Sequence, residues 1–241
     1  MEKNTFMREG SLYLEHIFNF VEGLANKRTS LEDIIAKAGG ANKVAFISVD
    51  IVKGFCSQGS MASDRMKAIA AQAAKTLMKA GKLGIENFIF TCDQHEKDSI
   101  EFLTWPPHCI KGTAESELDD DLLELPIKDK FKIVPKSSIS SFVDTELIDL
   151  LEEKPEINSI IVMGGVTDLC LYHLVAGLRF YASARHKNWR VIVPADCVAT
   201  FDCDYATSQK IGLEPHYGDL FQSIFLEQIK NIGAEVMGGL L

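Results

Sequence analysis

The sequence lacks the features that mark membrane, secreted and fibrous proteins. Its 241 residues contain no run of about 18 apolar residues, so we expect no transmembrane helix and no membrane partner. The first ten residues are polar and carry charges of both signs, so we expect no secretion signal and a cytoplasmic location. Low-complexity linkers and internal repeats are also missing. With 46% hydrophobic and 24% charged residues, the composition is typical of a globular protein.

Basic residues are too few for a nucleic-acid-binding protein. The chain has 25 lysines and arginines against 34 aspartates and glutamates, which gives a net charge of −9. Proteins that bind nucleic acids usually present a basic face to the phosphates. We therefore expect no nucleic-acid partner.

The cysteines are not spaced like those of a zinc knuckle, because no C-x-x-C pair occurs. In a long chain without a secretion signal, we interpret them as free thiols in a reducing compartment. The six are Cys56, Cys92, Cys109, Cys170, Cys197 and Cys203.

Short apolar runs alternate with helical patterns along most of the chain. Such alternation predicts an α/β fold, a three-layer αβα sandwich around a mostly parallel sheet of about six strands. We take residues 1–241 as one domain. The predicted strands are Val44–Val49, Asn87–Thr91, Phe131–Val134, Ser159–Met163, Arg190–Val193 and Glu235–Met237. The predicted helices are Ala62–Ala80, Asp144–Glu153, Leu169–Arg185 and Asp219–Ile232.

Residues 1–40 form a helical extension in this interpretation. Leu12–Ala25 has an apolar stripe at helical spacing, and a second short helix begins near Ser30 and ends at Gly39-Gly40. The ordinary amphipathic pattern favours packing on the domain. A partner-binding arm is the alternative.

Polar residues follow four successive predicted strands. Asp50 follows the first, Asp93 and His95 the second, Lys136 the third, and the turn 164–170 the fourth. The carboxyl ends of parallel strands meet at one edge of the sheet, where open α/β folds bind ligands. We therefore expect these residues to form a site.

Cys170 lies where a glycine turn enters a helix, and the first turn of a helix stabilises a thiolate and a developing oxyanion. We interpret Cys170 as a nucleophile, although most free cysteines are buried apolar residues. We then interpret Asp50 as a general base; the alternative is a turn residue. We interpret Lys136 as a cation that holds Asp50 and favours the thiolate; the alternative is a solvated surface lysine.

A divalent metal site is predicted from the residues after the second strand. Asp93, His95, Glu101 and His108 offer mixed nitrogen and oxygen ligands, with the second histidine beyond a Pro-Pro turn. Zinc is our first expectation, with iron or manganese as alternatives. Asp98 and Ser99 are rivals for the place of Glu101.

Together these residues resemble the isochorismatase-like cysteine hydrolases, and the metal-site residues are similar to those of nicotinamidases. The resemblance covers about Lys43 to Asp196, so the first 40 residues lie outside it. It rests on Asp50, Asp93-x-His95, Trp105-Pro106-Pro107-His108-Cys109, Lys111-Gly112-Thr113, Lys136, and Gly164-x-x-Thr167-Asp168-x-Cys170.

The resemblance implies a catalytic triad of Asp50, Lys136 and Cys170, and a metal held by Asp93, His95, Glu101 and His108. It also implies a cis peptide before Val166, whose N–H joins that of Cys170 in an oxyanion hole. Phe55 and Trp105 would pack on the two faces of a planar substrate, although either is equally expected in a core.

The predicted activity is the metal-dependent conversion of nicotinamide to nicotinate and ammonia, a step of NAD salvage, by a homo-oligomer. One departure affects substrate choice: the family often has Asp-x-Gln-Asn-Asp-Phe where this chain has residues 50–55 as Asp-Ile-Val-Lys-Gly-Phe. The alternatives are a relative that hydrolyses isochorismate or a ureido or carbamoyl compound, and a non-enzymatic family member that binds a ligand.

Overall fold

A computed structural model describes residues 2–211 and 214–241, and Met1, Gly212 and Leu213 lie outside the described part. The strands in chain order are β1 Arg28–Thr29, β2 Val44–Val49, β3 Asn87–Asp93, β4 Phe131–Lys136, β5 Ser159–Gly165, β6 Arg190–Pro194, β7 Val198–Ala199, β8 Glu235–Met237 and β9 Gly239–Leu240. The α-helices are α1 Lys3–Leu24, α2 Leu31–Ala38, α3 Lys53–Cys56, α4 Asp64–Lys82, α5 Asp120–Leu123, α6 Leu147–Glu152, α7 Cys170–Ala184, α8 Tyr205–Ile211 and α9 Gly218–Asn231.

The main sheet has seven strands, and all of its pairings are parallel. Six strands lie in the order β4-β3-β2-β5-β6-β8, and the short β7 pairs with the end of β5. The predicted α/β fold with a mostly parallel sheet is therefore confirmed. The seventh strand was not predicted, because two residues carry no periodicity and β7 exists only through its pairing with Gly164 and Gly165.

Helices cover both faces of this sheet, which gives the three layers. Along β2, alternate side chains point to opposite faces, as the two-residue repeat of a strand requires. Phe46 packs into the core beneath α2 and α4, and Ile47 packs into the core beneath α6, α7 and α9. Every residue of β2, β3 and β5 is buried, which explains why these strands read as continuous apolar runs.

The N-terminal segment contains the two predicted helices. In α2, Ser30 Oγ accepts from the Asp33 N–H at 3.0 Å and Gly39 ends the helix with a φ of +83°, as the sequence indicated. Helix α1 is longer than predicted, because it begins at Lys3 rather than near Leu12. Its later turns pack on α9, whereas the side chains of Phe6 and Tyr13 remain exposed. That residues 1–40 are an extension on a single domain stays a prediction.

Gly164 allows β5 to turn directly beside β2. Its φ is +110°, which L-residues rarely adopt, and an added Cβ would overlap the carbonyl oxygen of Val49. The glycine therefore brings the chain after β5 close to the end of β2, where Asp50 lies. Within the two described ranges, we find no helix that combines the length and the apolarity needed to cross a bilayer.

Candidate active site

The strand order brings the predicted residues together at the carboxyl edge of the sheet. Strands β4, β3, β2 and β5 are neighbours, and Asp93 lies opposite Lys136 in the register of β3 and β4. A cavity of about 900 Å³ opens at this edge. Eight of the ten predicted site residues line it, and the other two, Lys136 and His95, are buried directly behind. The eight are Asp50, Phe55, Asp93, Glu101, Trp105, His108, Val166 and Cys170.

Asp50, Lys136 and Cys170 form a buried triad. Lys136 Nζ lies 2.9 Å from Asp50 Oδ2 and 3.7 Å from Cys170 Sγ, and it also donates to the backbone oxygen of Ser138 at 3.1 Å. The backbone of Asp50 has a φ of +52°, and its other oxygen, Oδ1, accepts from the Asp93 N–H at 2.9 Å. The lysine ammonium group therefore bridges the predicted base and the predicted nucleophile.

A second carboxylate shares this ammonium group. Lys136 Nζ donates to Asp93 Oδ1 and forms an ion pair with Asp50, and all three side chains are almost inaccessible to solvent. Burial acts to lower the pKa of Lys136, but Asp50, Cys170 and Asp93 raise it well above its ordinary value. Burial acts to raise the pKa of Asp93, but Lys136, His108 and His95 hold it well below its usual range. Lys136 and Asp93 are therefore an ion pair.

Asp50 has the pKa of a general base. Burial and the neighbouring Asp93 carboxylate raise the pKa of Asp50 to about 6, although Lys136 and hydrogen bonding with Cys170 act in the opposite direction. At neutral pH the carboxylate is thus ionised, yet it is a stronger base than an exposed aspartate. A group with a pKa near the working pH is well suited to take and return a proton.

Cys170 is the first residue of α7, as the sequence predicted, but its thiol is not ionised at rest. Burial raises the pKa of Cys170 well above its ordinary value; Lys136 lowers it, but Asp50 and Asp93 raise it further. Lys136 thus acts to favour the thiolate, as expected, but burial and the two carboxylates outweigh it. The thiol needs a base, and Asp50 is the group that can act as one.

Two backbone N–H groups are available beside the thiol. The peptide bond between Gly165 and Val166 is cis. Thr167 N donates to Ala199 O at 3.0 Å, while Leu169 N and Leu171 N donate to Val166 O. Among the described residues, no protein acceptor receives the N–H of Val166 or of Cys170. These two are the groups that the sequence assigned to an oxyanion hole.

A short bridge brings the second set of predicted residues together. Asp93 ends β3, and His95 pairs in parallel with Ile110, with His95 N donating to Cys109 O at 3.0 Å and Lys111 N to His95 O at 2.9 Å. This pairing returns His108 to the side of Asp93. Glu101 enters from a single 3₁₀ turn, Ile100–Leu103, inside the same loop.

The side chains of Asp93, His95, Glu101 and His108 fit a metal ion. One donor atom from each lies within 4.8 Å of all the others. Nε2 of each histidine is 3.5 Å from Asp93 Oδ2. His95 Nε2 is fully buried with no hydrogen-bond partner, which is costly for a polar atom unless a further group binds it. The cluster contains Glu101 and not its rival Asp98.

Neighbouring groups orient both histidine rings toward the cluster. His108 Nδ1 donates to Pro106 O at 2.7 Å, so Nε2 presents its lone pair to the other three donors. Ser99 Oγ, the other rival of Glu101, lies 3.5 Å from His95 Nδ1 and so contacts the outer side of that ring. Such outer contacts are typical of metal-binding histidines.

Phe55 and Trp105 both line the cavity, as predicted for the walls of a planar pocket. Phe55 is buried, with its ring centroid 5.5 Å from that of His108. Trp105 is half-buried and meets Phe201 edge to face at 6.5 Å. Their contact with a substrate stays a prediction.

The unusual residues between Asp50 and Phe55 do not line the cavity. Ile51 and Val52 are buried in the core, and Lys53 turns outward to Glu117 and Asp120, 2.9 and 3.1 Å away. A Cβ on Gly54 would overlap Cys109 Sγ. The departure from the family pattern thus alters the outer side of this loop and leaves Asp50 and Phe55 in the cavity.

Sequence reasoning missed one part of the cavity wall, made of Thr200, Phe201, His216 and Phe221. Of these, Phe201, His216 and Phe221 line the cavity and Thr200 is buried behind them. His216 contacts Asp168 at 2.7 Å across 48 residues of sequence. No spacing rule connects two such distant positions, so only the fold reveals the contact.

Comparison with known proteins agrees with this geometry. The model of the isochorismatase domain matches residues 44–237. Nicotinamidase 1 of Arabidopsis thaliana is 31% identical over 219 residues, which cover 81% of this chain and 86% of the relative.

Solved structures share the fold. The pyrazinamidase/nicotinamidase from Streptococcus mutans UA159 superposes with a TM-score of 0.64 at 23% identity, over 80% of this chain and 99% of that one. The pyrazinamidase of Pyrococcus horikoshii in complex with zinc has a TM-score of 0.61 at 20% identity, over 81% and 98% of the two chains.

The buried ammonium group generates a prediction about stability. Lys136→Met should lower the free energy of unfolding of the metal-free protein by about 3–5 kcal/mol, because it leaves two buried carboxylates without a counter-charge. Lys130→Met is the matched control: Lys130 pairs with Glu86 at the surface, at 2.7 Å, and should cost less than about 1 kcal/mol. Urea unfolding in the presence of a chelator measures both. Equal losses in the two variants would contradict the buried ion pair.

Proposed function

The chain belongs to the isochorismatase family of hydrolases, and we propose that it is a metal-dependent cysteine amidohydrolase that converts nicotinamide to nicotinate and ammonia. The observation that carries the proposal is the position of the Asp50–Lys136–Cys170 triad beside a four-donor cluster at the base of one cavity. The name of the Arabidopsis relative supports the choice of substrate. Placement in NAD salvage follows from that choice.

The first half of the reaction acylates the enzyme. Asp50 takes the proton from Cys170 Sγ, and the thiolate attacks the carboxamide carbon. The carbonyl oxygen becomes an oxyanion that accepts the N–H groups of Val166 and Cys170. Lys136 stays protonated and offsets the negative charge that passes between Asp50 and the sulfur. Asp50 then returns its proton to the leaving nitrogen, and ammonia departs as the C–N bond breaks.

The second half releases the acid. Asp50, again ionised, takes a proton from water, and the resulting hydroxide attacks the thioester carbon. The same two N–H groups hold the second oxyanion. Its collapse breaks the C–S bond, and the proton on Asp50 returns to the sulfur, so nicotinate leaves and the enzyme is restored.

Asp93, His95, Glu101 and His108 are the residues that would hold a divalent cation, for which zinc is our first choice. When bound, such a cation supplies a Lewis acid for a ring nitrogen of the substrate. The chain's own residues orient this site, because Pro106 and Ser99 fix the histidine rings. Phe55 and Trp105 would enclose the faces of the substrate ring.

The first experiment measures ammonia released from nicotinamide. The wild-type chain should turn the amide over, and Cys170→Ala should lose at least about a thousandfold in kcat because the nucleophile is gone. Cys203→Ala is the matched control, since Cys203 also lines the cavity and has no place in the triad. Substantial turnover by Cys170→Ala would disprove the nucleophile.

The second experiment compares two amides of the same shape. Nicotinamide should have a kcat/KM at least about tenfold higher than benzamide, equivalent to about 1.4 kcal/mol of transition-state binding, because benzamide lacks the ring nitrogen. Steady-state kinetics with both substrates measure the ratio. Equal kcat/KM values for the two amides would contradict nicotinamide as the substrate, although the protein would still be an amidase.

The third experiment measures bound metal. Elemental analysis of the purified chain should find about one divalent ion per chain, and His108→Ala should lose most of it because one of four donors is missing. His16→Ala is the control, since His16 is exposed and pairs only with Glu227. Unchanged metal content in His108→Ala would contradict the site.

We also propose that the protein is a homo-oligomer. On α1, the side chains of Phe6, Met7, Tyr13 and Phe18 are exposed by 55, 58, 69 and 64%. Apolar surface of this extent on one helix marks an interaction site. Light scattering during size-exclusion chromatography tests the proposal, and the mass of a single chain at every concentration would refute it.

A further inference from the structure

A second buried acid and base, Asp168 and His216, lie beside the cavity, and His216 lines it. Asp168 lies between Val166 and Cys170 in the chain, so its position affects both N–H groups. Its Oδ1 accepts from Thr200 Oγ1 at 2.5 Å, and its Oδ2 lies 2.7 Å from His216 Nε2. The side chains of Asp168 and His216 are only 7% and 11% exposed.

Both ring nitrogens of His216 have a polar partner. Nδ1 lies 3.0 Å from the backbone oxygen of Phe201, and a carbonyl oxygen can only accept. Nε2 lies 2.7 Å from Asp168 Oδ2. The ring is therefore tied to the Phe201 backbone on one side and to Asp168 on the other.

The surroundings of the ring hold it in place. His216 is stacked between Phe201 and Phe221, with ring centroids 3.9 and 4.2 Å away and planes within 20° of parallel. The backbone of His216 is also fixed, because it exchanges two hydrogen bonds of 2.8 Å with Cys203.

We propose that Asp168 and His216 form a positioning pair that holds the Val166–Cys170 segment, and with it the two oxyanion-binding N–H groups, against the cavity wall. The pair adds to a neighbouring backbone contact of the same segment, in which the Thr167 N–H donates to Ala199 O in β7. His216 acts through Asp168 and is not itself a reacting group. The inference rests on the proposed function insofar as the N–H groups serve a thioester-forming reaction.

Two substitutions of His216 separate its hydrogen bonds from its packing. His216→Phe keeps an aromatic ring between Phe201 and Phe221 but removes both donors. His216→Gln keeps one donor near the place of Nε2 and should restore much of the function. Asp168→Asn removes the charge from the other side of the pair. His16→Phe, at an exposed position paired with Glu227, is the control.

In steady-state assays with nicotinamide, His216→Phe should lose at least about tenfold in kcat, because misplaced N–H groups stabilise the oxyanion less. KM should change less than about threefold and bound metal should stay the same, since the ring walls and the four-donor cluster are untouched. His216→Gln should lie within about threefold of wild-type kcat. The double variant Asp168→Asn/His216→Phe should be no slower than the slower single variant, because both act as one unit.

A second measurement does not require turnover of nicotinamide. Pyridine-3-carbaldehyde adds reversibly to a thiol: the C–S bond forms, the carbonyl π pair moves to oxygen, and the thiol proton passes through Asp50 to that oxygen. The adduct oxygen occupies the oxyanion hole and blocks alkylation of Cys170 by iodoacetamide. Mass spectrometry of the Cys170 peptide measures both rates.

For His216→Phe, alkylation without the aldehyde should stay within about twofold of wild type, whereas protection should need at least about tenfold more aldehyde. Unchanged kcat and unchanged protection would overturn the proposal. A parallel loss of alkylation rate, metal and kcat would also overturn it, because the pair would then be only structural. If the wild-type chain releases no ammonia from nicotinamide, the proposed function fails, and the aldehyde measurement still decides the role of the pair.

Discussion

The site depends on the buried ammonium group of Lys136. Two carboxylates and a thiol share one buried corner of the protein, and each would be costly to ionise there alone. Lys136 contacts all three, at 2.9 Å from Asp50 and 3.7 Å from Cys170, with Asp93 on its other side. The lysine balances the charge of Asp93. Asp50 is therefore the more basic of the two carboxylates, because burial and the neighbouring Asp93 raise its pKa to about 6.

The same lysine connects the catalytic triad of the proposal with the four-donor cluster. Asp93 Oδ1 accepts from Lys136 Nζ, while Asp93 Oδ2 faces His95 and His108 in the cluster. A cation in that cluster and the ammonium group would thus share one carboxylate between them. The arrangement keeps the triad and the cluster side by side through one shared carboxylate.

The protein assembles the site from both ends of the chain. The triad comes from β2, β4 and the start of α7, whereas the wall opposite the thiol comes from the segment after β7 and the start of α9. His216 and Asp168 meet across this division, beside Thr200 at the end of β7. Closing the cavity therefore requires that the C-terminal third of the chain is folded onto the sheet.

The sequence by itself determined the layers of the fold and most of the site, because both depend on local patterns. Continuous apolar runs marked β2, β3 and β5, since strands covered on two faces have no polar side, and polar residues directly after them marked the sheet edge. The sequence did not predict very short elements or contacts between distant residues. Strand β7 forms only by pairing with β5, and the contact of His216 with Asp168 joins residues with no shared pattern. The balance of effects on the pKa of Cys170 also needed the structure, because burial and two carboxylates act against Lys136 only where all of them are placed together. Local sequence thus specifies which residues reach the edge of the sheet. Their pKa values and their contacts with one another depend on distances that only the tertiary structure sets.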